Sequence, residues 1–123
     1  MIFHIVKRNE WAQAIRLGSY APASLQTHGF IHCSTLDQIV DTANQFYRGN
    51  GDLVLLCIEE SSLTKQLKFE SPASLDDPRA ELSFPHLYGS LDPVCVGRVV
   101  KFPCRADGSF ELPTEFQVND SGD

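Results

Sequence analysis

The four cysteines, Cys33, Cys57, Cys95 and Cys104, include no Cys-x-x-Cys pair, and most have apolar neighbours. This argues against a zinc ribbon or a dithiol redox motif and favours reduced, largely buried thiols. Basic residues are few and scattered: ten Lys and Arg against sixteen Asp and Glu, for a net charge of −6. A nucleic-acid surface needs clustered cations, so no nucleic acid is expected as a partner. A small anion in a pocket needs only one or two donors and stays compatible. No Gly-rich phosphate loop of the Walker or dinucleotide type is present. The longest unbroken apolar run, residues 53–58, is far below the roughly 20 residues of a membrane helix. Met1-Ile2-Phe3-His4-Ile5-Val6 is followed by Lys7 and Arg8, the reverse of a signal peptide's order. No membrane association and a cytoplasmic location are expected. Repeats and low-complexity segments are also missing.

What is there suits a globular domain. Hydrophobic residues are 42% of the 123 positions and charged residues 21%, enough for one core without wholesale disorder. A single domain over 1–113 is expected, with 114–123 a partly disordered tail whose last five residues fray. Residues 2–6 read as a buried strand around His4. Asn9 is placed to cap a helix over 10–17, with Trp11, Ala14 and Ile15 on one face and Gly18 as the stop. After a loop over 19–29, a short strand at 30–33 runs into a helix start, where Thr35 and Gln38 have capping-box spacing. That helix carries the stripe Leu36, Ile39, Val40, Ala43, Phe46 and Tyr47, ended by Gly49-Asn50-Gly51. Residues 53–58 suit a central strand covered on both faces, and Ser61 or Ser62 can start one helical turn. Leu67-Lys68-Phe69-Glu70 alternates as a half-buried strand does. Residues 71–80 read as a loop and 84–89 as an irregular aromatic segment. A strand over 94–102 with Gly97 at a bulge, and an Asp107-Gly108 hairpin before 110–112, complete the chain. The sum is an α+β domain, one mixed, mostly antiparallel sheet of five or six strands with two main helices. A monomer or weak dimer is expected.

Three histidines lie in apolar, strand-like segments on separate elements, so one cleft can receive three imidazoles. His4 either bonds a backbone carbonyl in the core or faces a ligand. His32 lies at a strand end beside a helix N-terminus, where free N–H groups hold anions and polar ligands. Ser34 and Thr35 follow it and either cap the helix or serve the site. His86 and Tyr88, two apart, share a face if extended. They either bond a ligand hydroxyl and stack on a ring or clamp a loop. Glu70 can orient a sugar hydroxyl or act as a base, or it is a solvated charge at a strand end; Glu81 competes with it. His28, beside Gly29, reads as surface. Cys33 is the one thiol near a helix N-terminus. Strand alternation turns it away from His32, which counts against a Cys–His nucleophile and against a metal site; no metal is expected.

Several segments resemble, in order, the domain of unknown function 952 family. They are Phe3-His4-Ile5, Trp11, Gly29-Phe30-Ile31-His32-Cys33-Ser34-Thr35 with Gln38, Asp52-Leu53-Val54-Leu55-Leu56, Leu67-Lys68-Phe69-Glu70 and Phe84-Pro85-His86-Leu87-Tyr88-Gly89. The likeness covers roughly residues 2–113. That family is grouped by fold and motif with the ADP-ribosyltransferase superfamily, so the resemblance implies an ADP-ribosyltransferase-like fold with NAD as co-substrate. On this implication His4 matches the early-strand residue that contacts the NAD ribose. His32 with Ser34 looks like the second-strand motif packed against nicotinamide. The third position, a polar residue holding a ribose hydroxyl, is open between Glu70, His86 and Glu81. The implied chemistry is ADP-ribosyl transfer or NAD hydrolysis through a cation-like transition state on the ribose. His32, Glu70 and His86 would be catalytic, and His4, Ser34, Thr35 and Tyr88 would bind NAD. The alternative is a nucleotide- or small-molecule-binding module on the same fold, without turnover.

Overall fold

The computed structural model describes residues 1–63, 66–72 and 76–117. The chain runs β1 (Ile2–Lys7), α1 (Arg8–Leu17), α2 (Ser24–Thr27), β2 (Ile31–His32), α3 (Leu36–Phe46), β3 (Leu53–Ile58), β4 (Leu67–Glu70), β5 (Phe84–Leu87) and β6 (Val96–Lys101). The strands form two three-stranded antiparallel sheets, ordered β1-β3-β6 and β2-β5-β4, where one sheet was expected. Among the described residues no helix is long and apolar enough to cross a membrane.

β1 and β3 are apolar on both faces, and the side-chain period of two sorts them. Ile2, Val6, Val54, Leu56 and Ile58 pack with Trp11 and Ala14 of α1. Phe3, Ile5, Leu53, Leu55 and Cys57 pack with Ile39 and Ala43 of α3. Cover on both sides explains the unbroken apolar run of β3. Helix α1 follows β1 directly, so its N-cap is Lys7 and not Asn9, and no side chain caps it. It ends at Gly18, whose φ of 77° is a left-handed conformation that glycine adopts without a Cβ penalty. α3 begins with the Thr35–Gln38 capping box, in which Thr35 N–H donates to Gln38 Oε1 at 3.0 Å.

Residues 84–87 form a strand where an irregular segment was expected, and β5 is central in its sheet. A proline is tolerated there only where no ladder bond is lost. His32 pairs with His86, so Pro85 lies opposite Cys33, one step past the end of β2. Cys33 N–H donates to the Pro85 carbonyl at 3.0 Å. In an antiparallel ladder a residue's N–H and C=O point the same way. The missing donor therefore faces the end of β2, and the β4 ladder is untouched. The same missing donor accounts for the shortness of β2.

No strand forms over 110–112. Instead Asn44 of α3 clamps the Phe110 backbone from both sides. Phe110 N–H donates to Asn44 Oδ1 at 2.7 Å, and Asn44 Nδ2 donates to Phe110 O at 3.3 Å. Phe110 is thereby held, 1% exposed, beside Phe102. The tail reaches back as well: Phe116 meets Phe3 edge to face with ring centroids 5.2 Å apart. Residues 118–123, which hold the segment expected to fray, lie outside the described residues.

Asn44→Ala leaves the Phe110 N–H without its partner, and the Phe110 carbonyl with the 3.5 Å contact from Arg105, in a partly buried setting. Urea unfolding of N44A should show a loss of ~1–3 kcal/mol. Gln13→Ala, on the exposed face of α1, should stay within about 0.5 kcal/mol of the parent. An unchanged midpoint for N44A would mean that this clamp does not hold the C-terminal segment.

Candidate functional site

The edge of the larger sheet touches β2's end at one backbone bridge. Phe3 N–H donates to Ser34 O and Ser34 N–H to Phe3 O, both at 2.8 Å. Beyond Phe3 the two strands part, and a cavity of about 540 Å³ occupies the gap. Backbone alternation puts the N–H and C=O of Ile5 on the same outward edge as those of Phe3. Neither group of Ile5 has a hydrogen-bond partner among the described residues, and Ile5 lines the cavity.

Strands β1, β2 and β5 each bring one imidazole to the wall: His4, His32 and His86. His4 Nδ1 lies 2.5 Å from the His32 carbonyl oxygen, and its Nε2 lies 2.6 Å from the Tyr20 hydroxyl. A carbonyl only accepts, so Nδ1 carries the proton and Nε2 accepts from Tyr20. With both nitrogens engaged, His4 is a buried staple between the sheets. Burial pushes its pKa down to about 4, opposed by the carbonyl bond. Tyr20 is pushed up, first by burial and then by the charge of Glu10, so its proton stays in place.

Period two and the strand register put Phe30, His32, Phe84, His86, Lys68 and Glu70 on one face of the smaller sheet. There Glu70 Oε1 accepts from His86 Nδ1 at 3.0 Å and from the Tyr88 hydroxyl at 2.6 Å. These bonds, that of Tyr88 first, lower the carboxyl's pKa. Phe30 stacks on His86 with centroids 3.8 Å apart. His86 is 2% exposed, and no protein group among the described residues bonds its Nε2. No buried side-chain polar atom among them lacks a partner, so Nε2 opens onto the cavity. With its proton on Nδ1, a neutral His86 presents a lone pair there. Glu70 and Tyr88 stand behind it, off the wall. Ser34 lines the cavity and its hydroxyl donates to Thr42 Oγ1 at 3.2 Å, whereas Thr35 serves the α3 cap. Glu81 is exposed and off the wall. Burial pushes the Cys33 thiol up to about 12, which removes it as a nucleophile at neutral pH.

Three wall residues, Arg79, Tyr47 and Glu10, were not singled out as site residues from sequence, and His28, read as surface, is exposed and also lines the cavity. Arg79 grips Asp77 in a fork, Nε at 3.1 Å and one terminal nitrogen at 3.0 Å; the other donates to Thr42 Oγ1 at 2.6 Å. Its guanidinium lies 4.4 Å over the Phe84 ring and holds Asp77 down to about 2. The legible signal was Asp-x-Arg spacing in a loop just before an aromatic strand. Tyr47 and Glu10 also line the cavity; burial, then Glu10's charge, raises Tyr47. A hydroxyl on an otherwise apolar helical stripe pointed to Tyr47. His28 approaches His32, Nδ1 to Nε2, at 3.1 Å, and their separation of four residues was the signal. Among the described residues no group of three or more His, Cys, Asp or Glu is placed to hold a metal ion.

Two antiparallel sheets pinned at a bridge, with an imidazole-lined cavity in the split, define a small α+β domain built around that cavity. The family model described as "Protein of unknown function (DUF952)" matches residues 5–101, and the chain belongs to that family. It is similar to protein CC0527 from Caulobacter crescentus. Against the X-ray structure the identity is 36% over 90% of this chain and 93% of that one, with a TM-score of 0.78. Against the solution NMR structure it is 34% over 96% and 97%, with a TM-score of 0.80. Among curated proteins none matches.

The His4 staple carries a pH signature. Its folded pKa of about 4 lies below the ordinary 6.5. Between those values the unfolded chain binds more protons, so stability is full above the upper value and falls as pH drops toward the lower. The full loss from His4 is ~3 kcal/mol, and His32, also lowered, acts in the same direction. Unfolding curves collected from pH 7.5 to 4 should show this loss, and His4→Gln should flatten it. A profile for H4Q that runs parallel to the parent's would sink the assignment.

Proposed function

We propose that the cavity binds NAD and that the domain breaks its nicotinamide–ribose bond, passing ADP-ribose to water or another hydroxyl acceptor. The observation that carries this reading is the free peptide edge of Ile5. A carboxamide presents an acceptor and a donor side by side in one plane, the complement of an unpaired strand edge. His86, held by Glu70, supplies the base. Its Nε2 takes the acceptor's proton as the new bond to ribose forms, while nicotinamide leaves with the bonding pair. Positive charge develops on the ribose in that step. On the wall, the charge of Arg79 is offset by Asp77. The resemblance to ADP-ribosyltransferases supports the same ligand and bond.

Binding without turnover is a second reading, favoured by the placement of the carboxylates. On the wall, Asp77 is paired with Arg79 and Glu10 is at an exposed position. Glu70 stands behind His86, so the carboxylate that the resemblance implies at the ribose hydroxyls is not in the cavity.

NAD and nicotinamide should each raise the melting temperature by mass action. Nicotinic acid, which offers a carboxylate and no N–H at that edge, should not. Protein incubated with NAD labelled in the nicotinamide ring should release nicotinamide. His86→Asn should slow release by ~10²-fold or more while keeping the NAD shift. A shift without release selects the second reading; no shift with NAD rejects both.

A further inference from the structure

One pair of side chains on the wall has no task in the reaction above and lacks a charged partner. His28 Nδ1 and His32 Nε2 stand 3.1 Å apart, with the rings edge to face at 4.9 Å between centroids, and both residues line the cavity. Such a contact needs one N–H and one lone pair. In the neutral pair the outer nitrogens, Nε2 of His28 and Nδ1 of His32, then hold one proton between them. One added proton keeps the contact, makes both outer nitrogens donors and gives the pair a single positive charge. A further proton would set N–H against N–H and break the contact. The pair therefore takes up one proton and, having done so, presents two donors.

Among the described residues, none of the surrounding groups places a counter-charge on either ring. Thr27 Oγ1 of α2 is 3.4 Å from His28 Nδ1. The His86 ring of β5 is 5.9 Å from His32, with Glu70 of β4 bonded to its far nitrogen and Lys68 over Tyr88 beyond that. His4 of β1 bonds the His32 carbonyl. Lys7 and Glu10 lie on the wall where β1 meets α1, and Arg79 with Asp77 lies on the loop before β5. Among the described residues no carboxylate bonds either ring. Desolvation against the cavity wall, followed by the neighbouring imidazoles, holds His32 down to about 4, so His32 itself carries no charge at neutral pH. An oxyanion at one of the outer nitrogens would supply the missing charge and draw that proton onto the pair.

We propose that His28 and His32 form a proton-coupled oxyanion site that takes a phosphate group of the cavity's ligand together with one proton. This deepens the NAD reading, because the dinucleotide's pyrophosphate follows its ribose, yet it stands on the imidazole pair alone. Sulfate is the probe, since it stays a dianion from pH 5 to 8 and any proton taken up belongs to the protein. Calorimetry at pH 6 and 7, in metal-free buffers of different ionisation heat, should show uptake approaching one proton per sulfate. Affinity should rise by up to about tenfold per pH unit lowered. His28→Gln and His32→Gln should each abolish the uptake and weaken sulfate ~10-fold or more. Both positions are exposed, and circular dichroism melting of H28Q and H32Q should match the parent at neutral pH. No sulfate binding, binding without proton uptake, or uptake that survives in H28Q overturns the proposal. An NAD shift without sulfate coupling removes this site and leaves the NAD reading. Sulfate coupling without an NAD shift does the reverse.

Discussion

The two hydrogen bonds between Phe3 and Ser34 are where the edge of one sheet meets the end of the other, and the cavity exists because that ladder goes no further. In antiparallel register the next hydrogen-bonded pair would be Ile5 with His32. The His32 carbonyl is already taken by the Nδ1–H of His4. A side chain from β1 thus replaces its own backbone as the donor, and the imidazole acts as a wedge between the strands. On the other side of the bridge, the Thr35–Gln38 capping box turns the chain into α3, so Ser34 is the last residue that can pair. A helix cap and one buried histidine together convert a continuous sheet into two sheets with a split.

The wedge works only while it is neutral. As imidazolium, His4 would present Nε2–H to Tyr20, whose own proton would then need another acceptor in a nearly dry setting. Desolvation of the charged ring is the dominant cost. The split and the free edge of Ile5 therefore share one cause. Both depend on a histidine placed where a strand's backbone would otherwise bond.

Local regularities in the sequence were legible. Thr35 and Gln38 formed their capping box, Leu67-Lys68-Phe69-Glu70 formed its strand, and the apolar run at 53–58 became the covered strand β3. Histidines on three separate elements reached one cavity, and the spacing of His86 and Tyr88 put both within reach of one Glu70 oxygen. What was not legible depended on partners distant in sequence. Two sheets rather than one follow from the His4–His32 contact, 28 positions apart. Pro85 marks a strand because its missing donor meets the end of β2. Residues 110–112 are clamped by Asn44, 66 positions away, where the local Asp-Gly signal suggested a hairpin. Arg79 becomes a wall residue only once α3 offers it Thr42.

The position of Glu70 fits a cavity built for an anionic ligand in a protein of net charge −6. A bare carboxylate about 6 Å from a phosphate would oppose it by about 3 kcal/mol at an effective dielectric of 20. Set behind His86, the same carboxylate fixes the ring's tautomer from a greater distance. The Tyr88 hydroxyl on the same oxygen takes up part of that charge, and Lys68 rides over the Tyr88 ring at 5.0 Å. Asp77 is treated likewise, its charge closed off in the Arg79 fork. The wall thus presents lone pairs and N–H groups rather than net charge. A histidine pair that adds its positive charge only when an anion arrives is consistent with that pattern. A resident Lys or Arg at the same place would carry its charge in the empty cavity as well.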